Sequence, residues 1–390
     1  MKYLSFILIL LAATSCSKQT WEITTSICTL DENTNEQYSK ATQLQSIIDK
    51  YTKQGIPGIA IAIYSSEGYW ASASGYSKIE TKMPMYPCNL QYSQSVSKTY
   101  MAVAILKLSE EGKINLDEKI TNYLPQDVIQ KVSGADQMTV RMLLNHTSGV
   151  AEYNDDPAYV SYLLEHPLHV FTTMDYLDYI KGKKIQFPAG SKYQYTNTNY
   201  LLLALIGDQI TGDHAKYIRD EIFKSLGLMH SFYHDDANYL DKPDLVNSYW
   251  DRYSNGTIEN CSQMQNVNVA SLNGDDGMIA SPIDYIKFLK GLFEGQLISQ
   301  SSLDQMLTFV KNDTAKYSYG YGLGIHTDPY KQHPEYGHTG GGIGAGCELG
   351  YLPDEKVYFF VALNMGTVIS SPITENASNI RDEILDVLME

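Results

Sequence analysis

Residues 92–112, YSQSVSKTYMAVAILKLSEEG, change from a polar segment into an apolar run with helical spacing. Ser95 and Lys98 stand three positions apart, just where the helix is expected to begin, and Gly112 has the position of a C-cap. Side chains three apart at a helix start share one face, and the unpaired N–H groups of the first turn favour an anion there. The segment therefore predicts an amphipathic helix with a hydroxyl and an amine side by side at its start.

The serine–lysine pair by itself leaves two interpretations open, ordinary first-turn residues or a nucleophile with its base. The same S-x-x-K spacing occurs between Ser15 and Lys18, inside an apparent export signal, so the spacing alone is weak evidence. A serine attacks only with a base beside it, and a lysine serves as that base only if burial or another cation lowers its pKa.

Two further motifs lie far along the chain. Residues 187–212, FPAGSKYQYTNTNYLLLALIGDQITG, place the triplet Y-T-N at 195–197 in front of a strongly apolar helix. Residues 335–366, EYGHTGGGIGAGCELGYLPDEKVYFFVALNMG, contain the only H-T-G of the chain, at 338–340, followed by two more glycines. Such glycines make a strand nearly bare, which lets a substrate backbone lie against it.

Several common catalytic motifs are absent from the sequence. It contains no G-x-x-x-x-G-K-[ST], G-x-G-x-x-G, H-E-x-x-H, C-x-x-C or G-x-S-x-G. These absences argue against a phosphate loop, a zinc protease and an α/β-hydrolase elbow, and we predict neither a metal nor a cofactor. His146, in the stretch NHTSG, is interpreted as a structural hydrogen-bonding residue.

The order S-x-x-K, Y-x-N, [KH]-[TS]-G, with the flanks LLNHTSGV and GDDGMIASPIDYIKFL, resembles the serine β-lactamase and penicillin-binding superfamily. The most similar branch is the class C β-lactamase-related group, which includes D-alanyl-D-alanine carboxypeptidases, D-aminopeptidases and esterases. The resemblance covers roughly residues 42–388. It implies an α+β fold of the β-lactamase/transpeptidase type, with a central antiparallel sheet flanked by helices and a mainly helical inserted subdomain.

The resemblance also implies roles for single residues. Ser95 attacks a carbonyl and forms an acyl-enzyme, while Lys98 and the Tyr195 hydroxyl share the proton transfers as base and then acid. The backbone N–H groups of Ser95 and Gly341 form the oxyanion hole. His338 is a further catalytic candidate, because it stands where many lactamases carry a lysine.

Three positions are implied to bind substrate. Asn197 holds the substrate amide and helps to position Lys98, while Thr339 and Gly340 line the strand along which the substrate lies.

The sequence departs from the lactamase pattern in two ways. Histidine at 338 removes a fixed positive charge, and no arginine lies between residues 253 and 380 to anchor a terminal carboxylate. The predicted function is therefore a serine hydrolase acting on a small ester or peptide amide, with a D-alanyl cell-wall peptide as one candidate. The alternative is a catalytically weak penicillin-binding protein or wall-fragment sensor on the same fold.

Hydrophobic periodicity divides the chain into a sheet region and a helical region. Strand-like runs near both ends, with a hairpin at GIAIAIY and YWASASGY, predict one antiparallel sheet built from the two termini. Residues 41–125 and 271–390 are predicted to form this α/β sheet domain, and residues 126–270 a helical subdomain. Helices are predicted at 41–53, 139–145, 173–181, 198–211, 215–226 and 373–389.

The N-terminus and the composition predict the compartment and the partners. A short apolar run ending in AATSC resembles a bacterial lipoprotein signal, with residues 1–15 removed, Cys16 lipidated and residues 16–40 serving as a polar tether. The alternative is plain secretion with cleavage near Ala13, and the chain is exported in either case. The expected location is the bacterial cell envelope, with the membrane as partner through the lipid anchor. A net charge of −16 with only four arginines argues against binding nucleic acid.

The remaining cysteines, Cys28, Cys88, Cys261 and Cys347, are widely spaced and fit no metal motif. An oxidising envelope permits bridges among them in three pairings, but the spacing favours isolated buried thiols.

Overall fold

The computed structural model describes residues 28–30, 32–235, 238–311 and 320–390. Over these ranges the chain has an α+β fold in which helices cover both faces of an antiparallel sheet. The strands are β1 (Gly58–Ser65), β2 (Gly68–Lys78), β3 (Met83–Pro84), β4 (Gln91–Tyr92), β5 (Ser231–Tyr233), β6 (Tyr249–Trp250), β7 (Glu259–Asn260), β8 (Met278–Ala280), β9 (Val310–Lys311), β10 (Gly320–Tyr321), β11 (His326–Thr327), β12 (Tyr336–Gly341), β13 (Gly346–Leu352) and β14 (Val357–Leu363). The helices are α1 (Ala41–Lys53), α2 (Ser97–Glu110), α3 (Gln126–Ile129), α4 (Val140–Leu144), α5 (Pro157–Glu165), α6 (Thr173–Ile180), α7 (Thr198–Thr211), α8 (His214–Ile218), α9 (Lys224–Leu226), α10 (Ser262–Ser271), α11 (Pro282–Phe293), α12 (Gln300–Met306), α13 (Pro372–Asn376) and α14 (Ile380–Met389).

The central sheet is assembled from both ends of the chain, as the sequence predicted. In the described ranges its nine strands follow the order β3-β2-β1-β14-β13-β12-β11-β10-β9, and neighbouring strands are antiparallel. The two halves join where β1 pairs with β14, from Ile59 opposite Leu363 to Tyr64 opposite Tyr358. The mainly helical residues between β3 and β9 thus form an insertion between two parts of one sheet. The proposed subdomain limits at 125 and 271 stay a prediction.

The alternation along β1 shows how the two faces are covered. Ile59, Ile61 and Ile63 pack with α1 and α14, because successive strand residues point to opposite faces. Ala62 points to the other face, into the core that contains α2 and α11. The helix α2 is buried on nearly all sides instead of being amphipathic, and its less buried residues, Lys107, Ser109 and Glu110, lie at the C-terminal end. The helix that follows the candidate nucleophile is therefore held inside the protein.

Several predicted elements appear with their predicted limits, and others are interrupted. α1 and α7 match the predicted helices at 41–53 and 198–211, and Gly112 follows α2 with a left-handed φ of 70°. The predicted helix at 373–389 is split into α13 and α14, and the one at 215–226 contains a π-helical turn. YGYGLGIH, one of the strand-like runs near the C-terminus, becomes β10 and β11, because Gly324 turns the chain between them with a φ of 74°.

The cysteine prediction was wrong for one pair. Cys28 and Cys88, 60 positions apart, form a disulfide, whereas Cys261 and Cys347 are buried free thiols as predicted. The bridge ties the N-terminal segment to the loop before β4, and closing a loop of this length stabilises a fold by a few kcal/mol, roughly 2–4. Spacing alone does not reveal the pair, because the two cysteines are brought together by folding and not by a local motif.

The N-terminal predictions lie only partly within the described residues. The signal at 1–15, Cys16 and the first part of the tether fall outside them. The last part of the predicted tether is folded onto the domain: the Asn35 N–H donates to the Tyr69 carbonyl at 2.7 Å, and the Ser39 hydroxyl donates to Glu67 at 2.6 Å. None of the helices in the described ranges has the length and apolar character needed to cross a membrane.

Candidate active site

Ser95 lies at the entrance to α2. A short 3-10 turn, Gln94–Val96, precedes the helix, and Gln94 has a φ of 47°, an uncommon conformation for a non-glycine residue. This turn leaves Ser95 partly exposed, whereas Lys98 on the next turn is fully buried. The Lys98 Nζ lies 3.0 Å from the Ser95 Oγ. The structure therefore brings the two residues of the S-x-x-K motif into direct contact.

Burial sets the chemical state of Lys98. Its amine donates a hydrogen bond to the Asp275 carbonyl oxygen at 2.8 Å. Desolvation lowers the pKa of Lys98, although the carboxylates of Asp275, Asp276 and Glu152 oppose this shift. A lowered pKa favours the neutral amine, which is the form that can accept a proton from a serine hydroxyl.

The Tyr195 hydroxyl completes a cluster of three polar groups. The Ser95 side chain lies close enough to act on the pKa of Tyr195, and the Lys98 Nζ lies 5.2 Å from the centre of the Tyr195 ring. Burial raises the pKa of Tyr195, so the phenol keeps its proton in the resting site. The structure thus places Ser95, Lys98 and Tyr195 together, although Tyr195 is 100 positions from Ser95.

His338 lies beside Tyr195 but is held by other partners. The Tyr321 hydroxyl donates to His338 Nε2 at 2.8 Å, and His338 Nδ1 donates to the Thr339 carbonyl at 2.6 Å. The rings of His338 and Tyr195 have centroids 6.3 Å apart. Burial lowers the pKa of His338 well below its usual value, so the ring is neutral. His338 therefore brings no positive charge to the place where many lactamases carry a lysine.

The glycines of β12 serve packing more directly than substrate approach. A Cβ at Gly340 would lie 2.7 Å from the Gln94 Cβ, the Ser93 carbonyl oxygen and the Cys347 Sγ. A Cβ at Gly342, just after the strand, would overlap the Gln94 side chain. The bare strand thus lets β12 lie directly against the turn that carries Ser95.

Gly340→Ala is expected to lower the free energy of unfolding by about 1–3 kcal/mol, because the added methyl group overpacks the contact between β12 and the Ser95 turn. Gly341→Ala is the matched control on the same strand, since its Cβ would come close only to the Thr367 side chain, at 2.9 Å from Oγ1. Urea unfolding of both variants measures the difference. Equal losses in the two variants would contradict this packing explanation.

A cleft of about 610 Å³ opens at Ser95. The side of the cleft at the nucleophile is formed by Gln94, Ser95, Asn197, Asp275, Asp276, Gly341 and Gly342. The rest is formed mainly by apolar and aromatic residues, among them Tyr153, Tyr159, Leu163, Trp250, Leu272 and Ile343. Ser95, Asn197 and Gly341 therefore share one cavity, as the candidate roles require.

Thr339 and Gly340 do not belong to the lining of this cleft. His338 and Thr339 are consecutive residues of β12, and they pair with Leu349 and Glu348 of β13. The side chains of His338 and Thr339 therefore point to opposite faces of the sheet. The Thr339 side chain is exposed on the face away from His338. Any contact of this residue with a substrate in the cleft would have to come from its backbone.

Three carboxylic acids near the site were not recognised from the sequence. Asp275 accepts a hydrogen bond from the Tyr153 hydroxyl at 2.8 Å, and burial raises its pKa. Burial also raises the pKa of Asp276 to about 7 and that of Glu152 above its usual value. For Asp275 and Asp276, the pair DD in GDDGMIASPIDYIKFL was the available signal. This stretch contributed to the family resemblance, but no role was assigned to its two acids.

His146 makes hydrogen bonds of the kind that its interpretation as a structural residue expects. Its Nδ1 accepts a hydrogen bond from the Thr196 N–H at 3.2 Å and lies 3.0 Å from the Asn199 amide nitrogen. His146, which lies just after α4, therefore holds the Y-x-N segment against the end of that helix. In the described part of the chain, no group of three or more His, Cys, Asp or Glu residues is arranged to hold a metal ion.

The chain is similar in sequence to a known family and to one of its relatives. The model of the family described as Beta-lactamase matches residues 44–377. The protein PbpX of Bacillus subtilis (strain 168), which is named for penicillin binding, is 26% identical over 303 residues, or 77% of this chain and 70% of its own.

Two solved structures show the same fold. The D-amino acid amidase from Ochrobactrum anthropi SV3 superposes with a TM-score of 0.77 at 23% identity, over 90% of this chain and 99% of its own. The D-stereospecific amidohydrolase from a Streptomyces species superposes with a TM-score of 0.73 at 24% identity, over 86% and 97%.

Proposed function

The chain belongs to the Beta-lactamase family, and from that membership we propose that it is a serine hydrolase that cleaves a small ester or peptide amide through an acyl-enzyme. The observation that carries the proposal is the 3.0 Å approach of the buried Lys98 amine to the partly exposed Ser95 hydroxyl. A structural serine has no need of a buried amine, whose desolvation costs free energy. The pair makes physical sense as a nucleophile and its base.

The proposed reaction begins with transfer of the Ser95 hydroxyl proton to the neutral Lys98 amine. The Ser95 Oγ forms a bond to the substrate carbonyl carbon, and the N–H groups of Ser95 and Gly341 stabilise the resulting oxyanion. The bond to the leaving group then breaks, and Lys98 or Tyr195 returns a proton to that group. Water repeats the sequence on the acyl-Ser95 ester, which releases the acid and restores the serine.

The charges in the cleft narrow the proposed substrate. The described residues that line the cleft include three acids, Asp155, Asp275 and Asp276. They include no lysine, arginine or histidine. A free carboxylate beside the scissile bond would find no partner there, whereas a neutral or amine-bearing substrate meets no repulsion. We therefore favour amides and esters without such a carboxylate, including those of D-amino acids, over peptides that end in a free D-alanine.

The bacterial cell envelope remains our proposal for the location, with a lipid anchor on Cys16. The disulfide between Cys28 and Cys88 supports an oxidising compartment, because such bridges are rare in reducing cytosol.

Mass spectrometry of the intact protein on mixing with a substrate panel, followed by digestion and peptide mapping of any acylated form, tests the proposed function. The panel contains D-alanine amide, D-phenylalanine methyl ester, the L-enantiomer of each, an acetylated D-Ala-D-Ala peptide and a fluorescent penicillin. We expect a transient acyl mass on the peptide that contains Ser95, with members lacking a free carboxylate reacting faster than the D-Ala-D-Ala peptide. An acyl mass that never turns over with any member would favour the sensor alternative. No adduct at Ser95 with any member would overturn the proposal.

A further inference from the structure

Exposed apolar side chains concentrate beside the cleft. Among the described residues, five of the large apolar side chains that remain exposed fall between positions 160 and 170, and another is Val368. Three of these six also line the cleft that contains Ser95, namely Val160, Leu164 and Val368, with exposed fractions of 42%, 39% and 60%. The cleft therefore continues outward into an apolar surface, which we name the apolar rim and define by these three residues.

The geometry of α5 explains how the rim is presented. Tyr159 and Leu163, one turn apart, are buried and anchor the helix to the core. Val160 follows Tyr159 and Leu164 follows Leu163. Each therefore lies about 100° further around the helix axis than the buried residue before it. They consequently stand along the edge of the cleft, in front of the residues that hold the helix in place. Two of the three rim residues thus belong to a helix anchored in the core, and Val368 lies in the connection between β14 and α13.

The surrounding charges argue against a membrane as the occupant of the rim. Asp155 and Asp156 directly precede α5, Glu165 is its last residue, and α5 itself contains no lysine or arginine. An interfacial membrane helix carries basic residues that attract anionic lipids, and this helix would be repelled by them. Exposed apolar surface continuous with a ligand cleft is typical of a binding groove. A substrate group thus accounts for the rim better than a lipid surface.

The position of the proton-transfer groups indicates which part of a substrate lies there. The lining of the cleft includes Ser95 but neither Lys98 nor Tyr195, which deliver the proton to the leaving group in the proposed reaction. The proposed reaction accordingly assigns the leaving group to the side of those two residues. The acyl group, which stays bonded to Ser95, extends along the cleft towards α5.

We propose that the apolar rim is a subsite for an extended hydrocarbon chain on the acyl side, so that the enzyme prefers medium-chain acyl donors to acetyl donors; this inference rests on the proposed function. In the acylation step the Ser95 Oγ bonds to the acyl carbon, the alcohol leaves with one proton, and the chain lies between Val160, Leu164 and Val368. Water then releases the fatty acid. The chain adds apolar contact area without needing a charged partner.

A series of p-nitrophenyl esters tests the subsite, with acetate, butyrate and octanoate each used below its critical micelle concentration. We expect kcat/KM to rise at least about tenfold from acetate to octanoate, because six added methylene groups leave water. In Val160→Ser/Leu164→Ser the octanoate-to-acetate ratio should fall by about tenfold. Met229→Ser is the matched control, since Met229 is an exposed apolar residue, 72% accessible, that does not line the cleft. Its ratio should equal that of the unsubstituted protein.

The outcomes separate the two proposals. Hydrolysis of acetate through Ser95 with no gain for octanoate, or an equal loss of preference in Met229→Ser, would overturn the subsite and leave the hydrolase intact. Failure of every ester to acylate Ser95 would overturn the subsite, and the hydrolase would fall with it only if the amide and penicillin members of the substrate panel also leave no adduct at Ser95. A near-ultraviolet circular dichroism spectrum of each variant confirms that the fold is retained.

Discussion

Ser95→Ala is expected to abolish acyl-enzyme formation and to lower kcat/KM for any accepted ester by at least about 10⁴-fold, the scale seen when a nucleophile is removed from a hydrolase. Alanine has no oxygen to attack a carbonyl, while the Lys98 amine keeps its hydrogen bond to the Asp275 carbonyl. Because the Ser95 side chain is partly exposed, its loss should leave the free energy of unfolding nearly unchanged. Intact mass after mixing with ester, together with steady-state rates, measures both effects.

Ser97→Ala provides the control for this prediction. Ser97 lies two positions further along the chain, and its hydroxyl donates to the Gln94 carbonyl at 2.8 Å, inside the turn and away from Lys98. Removing that hydrogen bond should cost about 1 kcal/mol of stability while the acyl mass still forms. A Ser95→Ala protein that acquires the same adduct at the same rate would show that the nucleophile has been assigned to the wrong residue.

Lys98→Met should lower kcat/KM by about 10²- to 10⁴-fold, the usual contribution of a positioned general base. Methionine fills much of the same buried space but accepts no proton, so the Ser95 hydroxyl keeps its hydrogen. Lys107→Met is the matched control on the same helix, because the Lys107 amine lies 3.6 Å from Glu221, in an ion pair outside the site. That variant should retain full activity.

The pH dependence gives the Lys98 prediction a second measurement. Burial lowers the pKa of Lys98, and only the neutral amine accepts a proton, so the activity of the unsubstituted protein should fall as the pH drops through that lowered pKa. The residual activity of Lys98→Met should lack this acidic limb. Retention of an unchanged limb in Lys98→Met would assign the titration to another group, with Asp276 and its pKa of about 7 as the next candidate.

Much of the fold could be predicted because its elements carry strong local patterns. The limits of α1 and α7 follow from hydrophobic periodicity and from their end signals, and the hairpin of β1 and β2 follows from a short turn between two strand-like runs. Predictions failed where non-local contacts decide. The break between α13 and α14 and the pairing of Cys28 with Cys88 are not marked in their own segments.

In the candidate site, too, contacts within one segment could be predicted and contacts between distant segments could not. The contact between Ser95 and Lys98 was foreseeable, because three positions on one helical turn bring two side chains to the same face. The acids around that contact were not, since Glu152 and Asp275 belong to segments far along the chain that only folding brings to Lys98. The orientation of Thr339 likewise depends on the register between β12 and β13.

What this amino-acid order determined unaided is the short-range geometry that joins Ser95 to Lys98, and the motifs that single these residues and Tyr195 out as candidates. Folding alone decided how strongly water is excluded from the Lys98 amine, which ring nitrogen of His338 carries the hydrogen, and where the cleft opens onto an apolar surface. The reason is physical: bond geometry and helical pitch act over a few residues, whereas desolvation and electrostatic fields sum over every segment packed around a group.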